Sequence, residues 1–386
     1  MTTDQPEVSG AEIALENVTK RYPGQKAAAV DGLTLTIPAG EIVMFVGPSG
    51  CGKTTSLKMI NRLIEPSSGT IRIGGQDVRQ QGENELRRQV GYVIQGGSLF
   101  PHMTVAKNIA LVPKLLGWDA DRIEQRVVDL LDLVGLDPAK YRGRYPRELS
   151  GGQQQRVGVA RGLAADPPVI LMDEPFGAVD PITRQRLQDE LLSIQRELRK
   201  TIVCVTHDID EAIKLGDRIL ILREGAEVAQ YDTPENVLAA PADDFVSDFV
   251  GSGSTLKQLS LARVSSIELA DRPTAWVGES TGEVVARAEA EGHDAVVVLD
   301  DRGRPLGWPW LRQLRGHDRV PSYDAEKLNT LDSRATLNDA LDTMLTSSHG
   351  AAVVTGDRDQ YLGVISFEAV TDHMRQLERE AAAHGE

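Results

Sequence analysis

A glycine-rich run directly after an apolar stretch has the residue types needed to bind phosphate groups. The run is Gly47-Pro48-Ser49-Gly50-Cys51-Gly52-Lys53-Thr54-Thr55, and it matches the pattern G-x-x-x-x-G-K-[ST]. Glycines let successive backbone N–H groups converge on phosphate oxygens, and the following helix adds its positive N-terminal end. The pattern predicts a nucleotide site in which Lys53 reaches the β- and γ-phosphates and the Thr54 hydroxyl ligates Mg²⁺.

Two acids stand at the end of a second apolar run. Asp173 and Glu174 follow Val169-Ile170-Leu171-Met172, and ligands of parallel sheets bind outside the carboxyl ends of the strands. Asp173 is therefore a candidate to hold Mg²⁺ through water, and Glu174 to polarise an attacking water as general base. The alternative, an acidic strand end before a proline turn, is the weaker interpretation beside the glycine-rich run.

A capped helix start offers a second anion site. Ser150 is a good N-cap residue, and Gly151, Gly152 and Gln153 lead from it into a helix that begins near Gln154. An exposed helix N-terminus next to glycines can bind an anion. One nucleotide does not need two such sites from one chain. We therefore expect two chains, arranged head to tail, to present this segment to each other's γ-phosphate.

Short apolar runs alternate with helical patterns from about residue 11 to 250 and predict an α/β domain with a largely parallel sheet. Buried strands are expected at Ile42-Val43-Met44-Phe45-Val46, Val169-Ile170-Leu171-Met172 and Ile202-Val203-Cys204-Val205. Between about 100 and 150 the pattern is helical, and an apolar stripe includes Ile123, Val127, Leu130 and Leu131. This segment is expected to form an inserted helical subdomain.

An internal repeat follows a glycine-serine break at Gly251-Ser-Gly-Ser-Thr255. At a shift of 56 residues, His293 corresponds to His349, Val297-Val298 to Val353-Val354, and Leu306-Gly307 to Leu362-Gly363. Two copies of one small unit suggest a pseudo-twofold pair. We therefore predict domains at 11–250, 256–320 and 321–380.

The bulk composition limits the partners. The net charge of −15 argues against nucleic acid as the main partner, because proteins that bind the phosphate backbone of nucleic acids usually show a basic excess. Only two cysteines occur, Cys51 and Cys204, which favours a reducing compartment. No apolar run of about eighteen residues is present, so we expect the chain to serve a membrane only by docking on another chain.

The run Leu149-Ser-Gly-Gly-Gln153, placed between the glycine-rich loop and Asp173-Glu174, resembles the signature of ABC ATPases. The resemblance covers about residues 11 to 250 and implies an ATP-hydrolysing, ABC-type P-loop nucleotide-binding domain with a helical subdomain. It also implies roles for four more residues. Tyr22 resembles the aromatic residue that stacks on adenine, and Asp180 occupies the D-loop aspartate position. Gln95 resembles the Q-loop glutamine that senses Mg²⁺ and water and couples to the membrane subunit, and His207 the switch histidine that contacts the γ-phosphate.

These expectations divide the candidate residues by role. Expected catalytic residues are Glu174, His207, Lys53 and Gln95. Expected metal-binding residues are Thr54, Gln95 and Asp173. The remaining expected contacts with ATP are Tyr22, the loop from Gly47 to Thr55, Ser150 to Gln153, and Asp180.

A closer resemblance lies in the run Ser56-Leu-Lys-Met-Ile-Asn-Arg-Leu-Ile-Glu-Pro66. It is similar to the ATPase subunit of importers for osmoprotectant quaternary amines such as glycine betaine, carnitine or choline. That resemblance implies a peripheral protein on the cytoplasmic face of the membrane, bound to permease subunits and served by an extracytoplasmic substrate-binding protein. Leu99 to Val105 looks like the surface that receives the permease's coupling helix. The alternatives are an importer of another solute, such as an amino acid, and a soluble ABC ATPase without a transport role.

The repeat resembles a tandem pair of CBS modules, which are α+β regulatory units. Nucleotide-binding copies usually carry Thr or Ser, two residues and then Asp after the glycine. Here Gly307 is followed by Trp-Pro-Trp310-Leu-Arg-Gln313, and Gly363 by Val-Ile-Ser366-Phe-Glu-Ala369. Simple AMP or ATP sensing is therefore not expected. A cyclic dinucleotide, anionic lipid at the locally basic stretch Arg302 to Arg319, and dimerisation alone are the open alternatives.

Overall fold

The structure, a computed structural model, describes residues 10–94, 99–177, 180–251, 254–325 and 328–384. The chain divides into two compact units. One comprises Met1–Val237 and Pro241–Gly251, and the other comprises Leu238–Ala240 and Ser252–Glu386. Within the described part, no helix has the length and apolarity required to cross a bilayer.

Two sheets form the framework of the first unit. Its strands are β1 (Ile13–Lys20), β2 (Val30–Ile37), β3 (Ile42–Val46), β4 (Ser68–Ile73), β5 (Gln76–Asp77), β6 (Val90–Val93), β7 (Val169–Asp173), β8 (Thr201–Val205), β9 (Arg218–Leu222) and β10 (Val228–Asp232). A six-stranded sheet has the order β10-β9-β3-β8-β7-β6 and is parallel except for β10. A four-stranded antiparallel sheet has the order β2-β1-β4-β5. The largely parallel sheet confirms the predicted α/β fold.

The two sheets differ in their burial, and the sequence explains why. All five residues of β3 are buried, because a central strand of a parallel sheet is covered on both faces. In β2 the apolar residues Leu33, Leu35 and Ile37 alternate with exposed polar ones, as in a sheet with one solvated face. Residues of both sheets, among them Leu35 and Phe45, share one hydrophobic core. That core fixes the ends of β3, β7 and β8, from which the candidate site is built.

The helices of the first unit include the helical segment that the apolar periodicity predicts. They are α1 (Lys53–Ile60), α2 (Glu83–Gln89), α3 (Val105–Ile109), α4 (Leu111–Leu115), α5 (Ala120–Leu133), α6 (Pro138–Tyr141), α7 (Gly151–Leu163), α8 (Pro181–Leu198), α9 (Ile209–Leu215), α10 (Pro234–Ala239) and α11 (Asp244–Val250). Helices α3 to α6 form the helical segment expected between residues 100 and 150. The predicted stripe of α5 is buried, and the Asp119 side chain caps its first turn.

The second unit contains two copies of one arrangement. Its elements are α12 (Ser254–Leu261), β11 (Thr274–Trp276), α13 (Thr281–Ala290), β12 (Val297–Leu299), β13 (Pro305–Gly307), α14 (Leu311–Leu314), β14 (Thr330–Asp332), α15 (Leu337–Thr346), β15 (Ala351–Thr355), β16 (Tyr361–Ser366) and α16 (Phe367–His384). Elements β11, α13, β13 and α14 begin 56 residues before β14, α15, β16 and α16. In each copy the first two strands are parallel and the third is antiparallel.

The two copies pack on each other through their sheets. Val297 and Leu299 of the first copy share a buried cluster with Ala351, Val353 and Val364 of the second. The repeat in the sequence is therefore a repeat in the structure. The predicted border between 256–320 and 321–380 stays a prediction.

Candidate nucleotide-binding site

Glycines determine the course of the loop between β3 and α1. Gly47 has a φ of +147°, and a Cβ there would lie 2.3 Å from the carbonyl oxygen of Leu222. Gly52 has a φ of +113°, and its Cβ would lie 2.6 Å from the carbonyl oxygen of Ala29. Side chains are excluded at both positions by conformation and by space. The loop can therefore present its backbone N–H groups to an anion, as a phosphate site requires.

The Lys53 ammonium lies inside this loop. Its Nζ donates to the carbonyl oxygens of Gly47 at 2.7 Å and of Pro48 at 2.9 Å, and the residue is only 7% exposed. These hydrogen bonds compensate the burial of the charge. The positive charge is thus held inside the glycine-rich loop. Cys51 is buried in the core beside it, which fits a small residue tolerated in the loop.

Thr54 and Asp173 are brought together by the first turn of α1 and the end of β7. Thr54 Oγ1 donates to Asp173 Oδ1 at 2.9 Å. A hydroxyl and a carboxylate are hard oxygen ligands of the kind that Mg²⁺ prefers. Among the described residues, no group of three or more His, Cys, Asp or Glu side chains could hold a metal ion. The pair supplies two oxygen ligands, and a cation held by it would take further ligands from a bound phosphate or water.

Glu174 and His207 face each other at the ends of the neighbouring strands β7 and β8. His207 Nδ1 lies 3.5 Å from Glu174 Oε1, and the side chains are 64% and 32% exposed. Glu174 has a φ of +45°, and its N–H donates to the carbonyl oxygen of Val205 at 3.0 Å. The left-handed conformation costs a non-glycine residue about 1–2 kcal/mol. Such a residue in a turn next to a ligand site indicates a conformation retained for function.

The first turn of α7 carries the ABC-signature segment. Ser150 Oγ accepts from the Gln153 N–H, and Gln153 Oε1 accepts from the Ser150 N–H, which together form a capping box. Gln153 Nε2 also donates to the Tyr141 hydroxyl at 3.2 Å. Ser150 and Gly151 are exposed. In the described part of the chain, none of the hydrogen bonds of Ser150 and Gln153 reaches the loop of Gly47 to Thr54.

Of the remaining predicted residues, the structure describes Asp180 and Tyr22. Asp180 is exposed and caps α8 by accepting from the Thr183 N–H at 3.1 Å, and this hydrogen bond lowers the pKa of its carboxyl. Tyr22 is half-buried between β1 and β2, with Lys20 Nζ 5.2 Å from its ring centroid. Gln95 lies outside the described residues.

The structure shows a buried polar network beside His207 that the sequence motifs did not predict. The Thr206 hydroxyl and Gln188 Nε2 both donate to the carboxyl of Glu211, and all three residues are buried. Burial raises the pKa of Glu211, although both hydrogen bonds oppose this rise. The one sequence signal was a Glu on the inner face of a short helix, next to Ala212 and Ile213.

An apolar groove of about 340 Å³ lies in the first unit between the sheet and the helical segment. Leu63, Ile94 and Phe100 line it and are 46%, 41% and 41% exposed. Asn108 is fully buried and holds the loop that carries Phe100. Its Oδ1 accepts from the Phe100 N–H at 2.8 Å, and its Nδ2 donates to the carbonyl oxygens of Phe100, Met103 and Thr104. The groove thus exposes apolar side chains, and hydrogen bonds to Asn108 hold the segment that contributes Phe100.

A cleft of about 810 Å³ lies between the two copies of the second unit. The His349 ring is stacked between two indoles, 4.1 Å from the centroid of Trp308 and 4.4 Å from that of Trp310. Arg312 and His317 also line the cleft, and the Arg312 guanidinium lies 5.5 Å from the Trp310 ring centroid. The cleft therefore combines a stack of three aromatic rings with the positive charge of Arg312.

Comparison with protein families gives two matches. A family model described as ABC transporter matches residues 30–177, which include the glycine-rich loop, the signature segment and Asp173-Glu174. A model described as CBS domain matches residues 322–375, in the second copy of the repeat.

Several characterised proteins are similar over most of the chain. The osmoprotectant import ATP-binding protein OsmV of Salmonella typhimurium is 46% identical and covers 94% of this chain and 96% of its own length. The glycine betaine/carnitine/choline transport ATP-binding protein OpuCA of Bacillus subtilis is 43% identical, over 93% of this chain and 95% of its own length. The choline transport ATP-binding protein OpuBA of the same organism is 52% identical. That alignment covers 75% of this chain and 76% of OpuBA.

Solved structures match the first unit in fold. A dimeric ATP-binding cassette, in a post-hydrolysis state with ADP and Pi, aligns with a TM-score of 0.52 and 35% identity. The alignment covers 57% of this chain and 98% of the chain in that structure.

Proposed function

The chain belongs to the ABC transporter family of ATP-binding proteins, and from this membership we propose that it drives the import of quaternary-amine osmoprotectants. The observation that carries the ATPase assignment is the meeting of four residues beside the glycine-rich loop. Thr54, Asp173, Glu174 and His207 gather at the carboxyl ends of three adjacent strands. The cargo is supported by relatives named for osmoprotectant, glycine betaine, carnitine and choline transport.

Each residue of the site has a chemical task in the hydrolysis of ATP. The loop N–H groups and Lys53 bind the phosphates and stabilise their charge. Thr54, Asp173 and Gln95 would hold Mg²⁺, which when bound neutralises charge that develops on the transferred phosphoryl group. Glu174 orients the attacking water and accepts its proton, and His207 contacts the γ-phosphate. The left-handed backbone at Glu174, with its φ of +45°, supports a conformation retained for this role.

The nucleotide site is completed by a second copy of the chain. Ser150 and Gly151 are exposed at the N-terminus of α7. The capping box uses the N–H groups of Ser150 and Gln153 but not those of Gly151 and Gly152, which can face an anion. In a head-to-tail dimer this helix end meets the γ-phosphate held by the partner, and Asp180 lies at the same interface. Tyr22 stacks on the adenine. The dimeric cassette similar to the first unit supports this arrangement.

The apolar groove is the docking site for a permease subunit at the cytoplasmic face of the membrane. A contiguous exposed apolar surface marks an interaction site, and the Asn108 hydrogen bonds hold Phe100 in place to receive an inserted helix. The permease in turn receives its cargo from an extracytoplasmic substrate-binding protein. Gln95 follows Ile94 in the sequence, and its resemblance to the Q-loop glutamine gives it the role of coupling the permease to the nucleotide.

The test of this function is uptake of labelled choline or glycine betaine by cells that produce the chain with its permease and binding protein. Phe100→Glu is expected to reduce uptake at least about tenfold, because the substitution removes the exposed ring that an inserted helix would contact and replaces it with a carboxylate. ATP hydrolysis by the purified subunit should stay within about twofold, because Phe100 does not touch the nucleotide loop.

Val228→Glu is the matched control, since Val228 is 37% exposed on the edge strand β10 and does not line the groove. It should leave uptake unchanged. Uptake of an amino acid in place of the amines would contradict the proposed cargo. Normal uptake by Phe100→Glu would contradict the docking site.

We propose that the second unit is a regulatory module whose cleft binds a cyclic dinucleotide. Such a ligand has flat bases that can extend the stack of Trp308, His349 and Trp310, and phosphates for Arg312. Contact with anionic lipid is less well supported, because two arginines of the basic stretch have acidic partners. Arg304 pairs with Asp300 and Arg315 pairs with Glu289.

Titration calorimetry of the whole chain with cyclic di-AMP is expected to give binding that Trp310→Ala weakens at least about tenfold, because loss of a stacking partner costs about 1–3 kcal/mol. Trp276→Ala serves as control, since Trp276 is 48% exposed and does not line this cleft. Equal affinity of the two variants would contradict the site. If the chain co-sediments with anionic vesicles and does not bind cyclic di-AMP, the lipid alternative is favoured.

A further inference from the structure

Glu211 is a buried carboxyl group that the function proposed above leaves unexplained. It lies in the first turn of α9 and is 7% exposed. Gln188 Nε2 donates to its Oε1 at 3.2 Å, and the Thr206 hydroxyl donates to its Oε2. Burying a carboxyl group is unfavourable unless hydrogen bonds compensate it. A residue of this kind, one turn after His207, therefore needs a reason beyond packing.

The Thr206 hydroxyl connects Glu211 to the loop that carries His207. It accepts from the Asp208 N–H at 3.1 Å and so spans the backbone on both sides of His207. A hydroxyl has one hydrogen to donate, and its donation to Glu211 leaves lone pairs directed at Asp208. The Thr206 N–H donates to the carbonyl oxygen of Phe45 at 3.1 Å, in the strand that leads into Gly47. Glu211 thus fixes the rotamer of the Thr206 side chain, and the Thr206 hydroxyl in turn holds the backbone next to His207.

Helix α8 reaches the same loop at two points. Gln188 contacts Glu211, and Arg184 lies 3.9 Å from the Asp208 carboxylate. Both residues lie in the N-terminal half of α8, which begins at its cap Asp180. A shift of this helix would therefore be transmitted to His207 through contacts that are buried or adjacent to the loop.

We propose that Glu211 is a positioning residue that holds His207 in its working orientation and links it to the helix that begins at Asp180. This inference rests on the role proposed above for His207. Glu211 does not touch the nucleotide and acts through Thr206 and Asp208. Removal should slow the chemical step selectively, because a small misplacement of a group in the site lowers the rate far more than it lowers substrate binding.

The experiment compares steady-state ATP hydrolysis by full-length variants. Glu211→Ala is expected to lower kcat at least about tenfold while KM for ATP changes less than about threefold. Glu211→Gln should retain kcat within about threefold, because its amide oxygen can still accept from Thr206. Asp189→Ala is the matched control. It removes another contact between α8 and α9, the exposed pair of Asp189 with Lys214 at 2.7 Å, and should change kcat less than about twofold.

Two further measurements separate positioning from stability and from the role of His207. Thr206→Val removes the hydroxyl but keeps Glu211 and the side-chain shape, and should reproduce the loss of kcat at a temperature far below the unfolding midpoint. In a His207→Ala background, Glu211→Ala should cause little further loss, because both changes act through one group. A full additional tenfold loss of kcat in the double variant would overturn the positioning role of Glu211 but not the proposed role of His207. Unchanged kcat in His207→Ala itself would overturn the proposed role of His207, and this inference with it.

Discussion

Replacement of Glu174 by Gln is expected to lower ATP turnover about a thousandfold while ATP binding persists, because general base catalysis contributes about 10²–10⁴ in rate. Gln keeps the shape of the side chain but cannot accept the proton of the attacking water. The loop glycines, Lys53 and the pair of Thr54 and Asp173 are unchanged by the substitution. Binding and chemistry should therefore separate cleanly at this position.

The measurement is phosphate release under saturating MgATP, together with binding of a fluorescent ATP analogue. Glu235→Gln is the matched control, because Glu235 is exposed in the first turn of α10 and does not contribute to the site. It should hydrolyse ATP at the normal rate. Turnover by Glu174→Gln within about threefold of the original chain would assign the base to another residue.

Gly151→Asp is expected to reduce ATP turnover about a hundredfold, because the added carboxylate faces the γ-phosphate that the partner copy presents and removes favourable electrostatic stabilisation. The fold should tolerate the change. A Cβ at Gly151 meets no heavy atom within 4 Å, and an acid in the first turn of a helix is locally favourable. Binding of ATP to the isolated chain should be unaffected, because no heavy atom of the described loop Gly47–Thr54 lies within 4 Å of a Cβ at Gly151.

The control for this variant is Gly143→Asp. Gly143 is likewise exposed, with open space at its Cβ, and lies in the same helical segment ahead of α7. It adds the same charge but not at a helix N-terminus. Unequal turnover of the two variants is expected, and equal turnover would indicate that the signature segment does not meet a phosphate.

The sequence was sufficient to locate the residues at the ends of the parallel strands. Buried parallel strands are continuous apolar runs, and β3, β7 and β8 begin within one residue of the predicted positions. The repeat register was equally informative, since four pairs of elements are separated by the same 56 residues. The sequence did not predict that the antiparallel sheet is separate from the parallel one. Its strands are distant in sequence, since β1 and β2 precede the glycine-rich loop whereas β4 follows α1. Pairing between distant segments leaves no mark on local periodicity.

The network around Glu211 could not be predicted from sequence for a physical reason. An acid in the first turn of a helix ordinarily lies on the surface and interacts favourably with the helix dipole. Glu211 is buried only because α8 packs over α9 and supplies Gln188. The same holds for the stacking of His349 between Trp308 and Trp310, which depends on how the two copies meet.

Sedimentation velocity of the Glu174→Gln chain, with and without MgATP, tests most directly whether a second copy completes each nucleotide site. The expected result is a monomer without nucleotide and a dimer with MgATP, since slow hydrolysis leaves the bridging γ-phosphate in place. Adding Gly151→Asp to the same chain should abolish the dimer. A chain that binds MgATP but stays monomeric at every concentration would contradict the shared site.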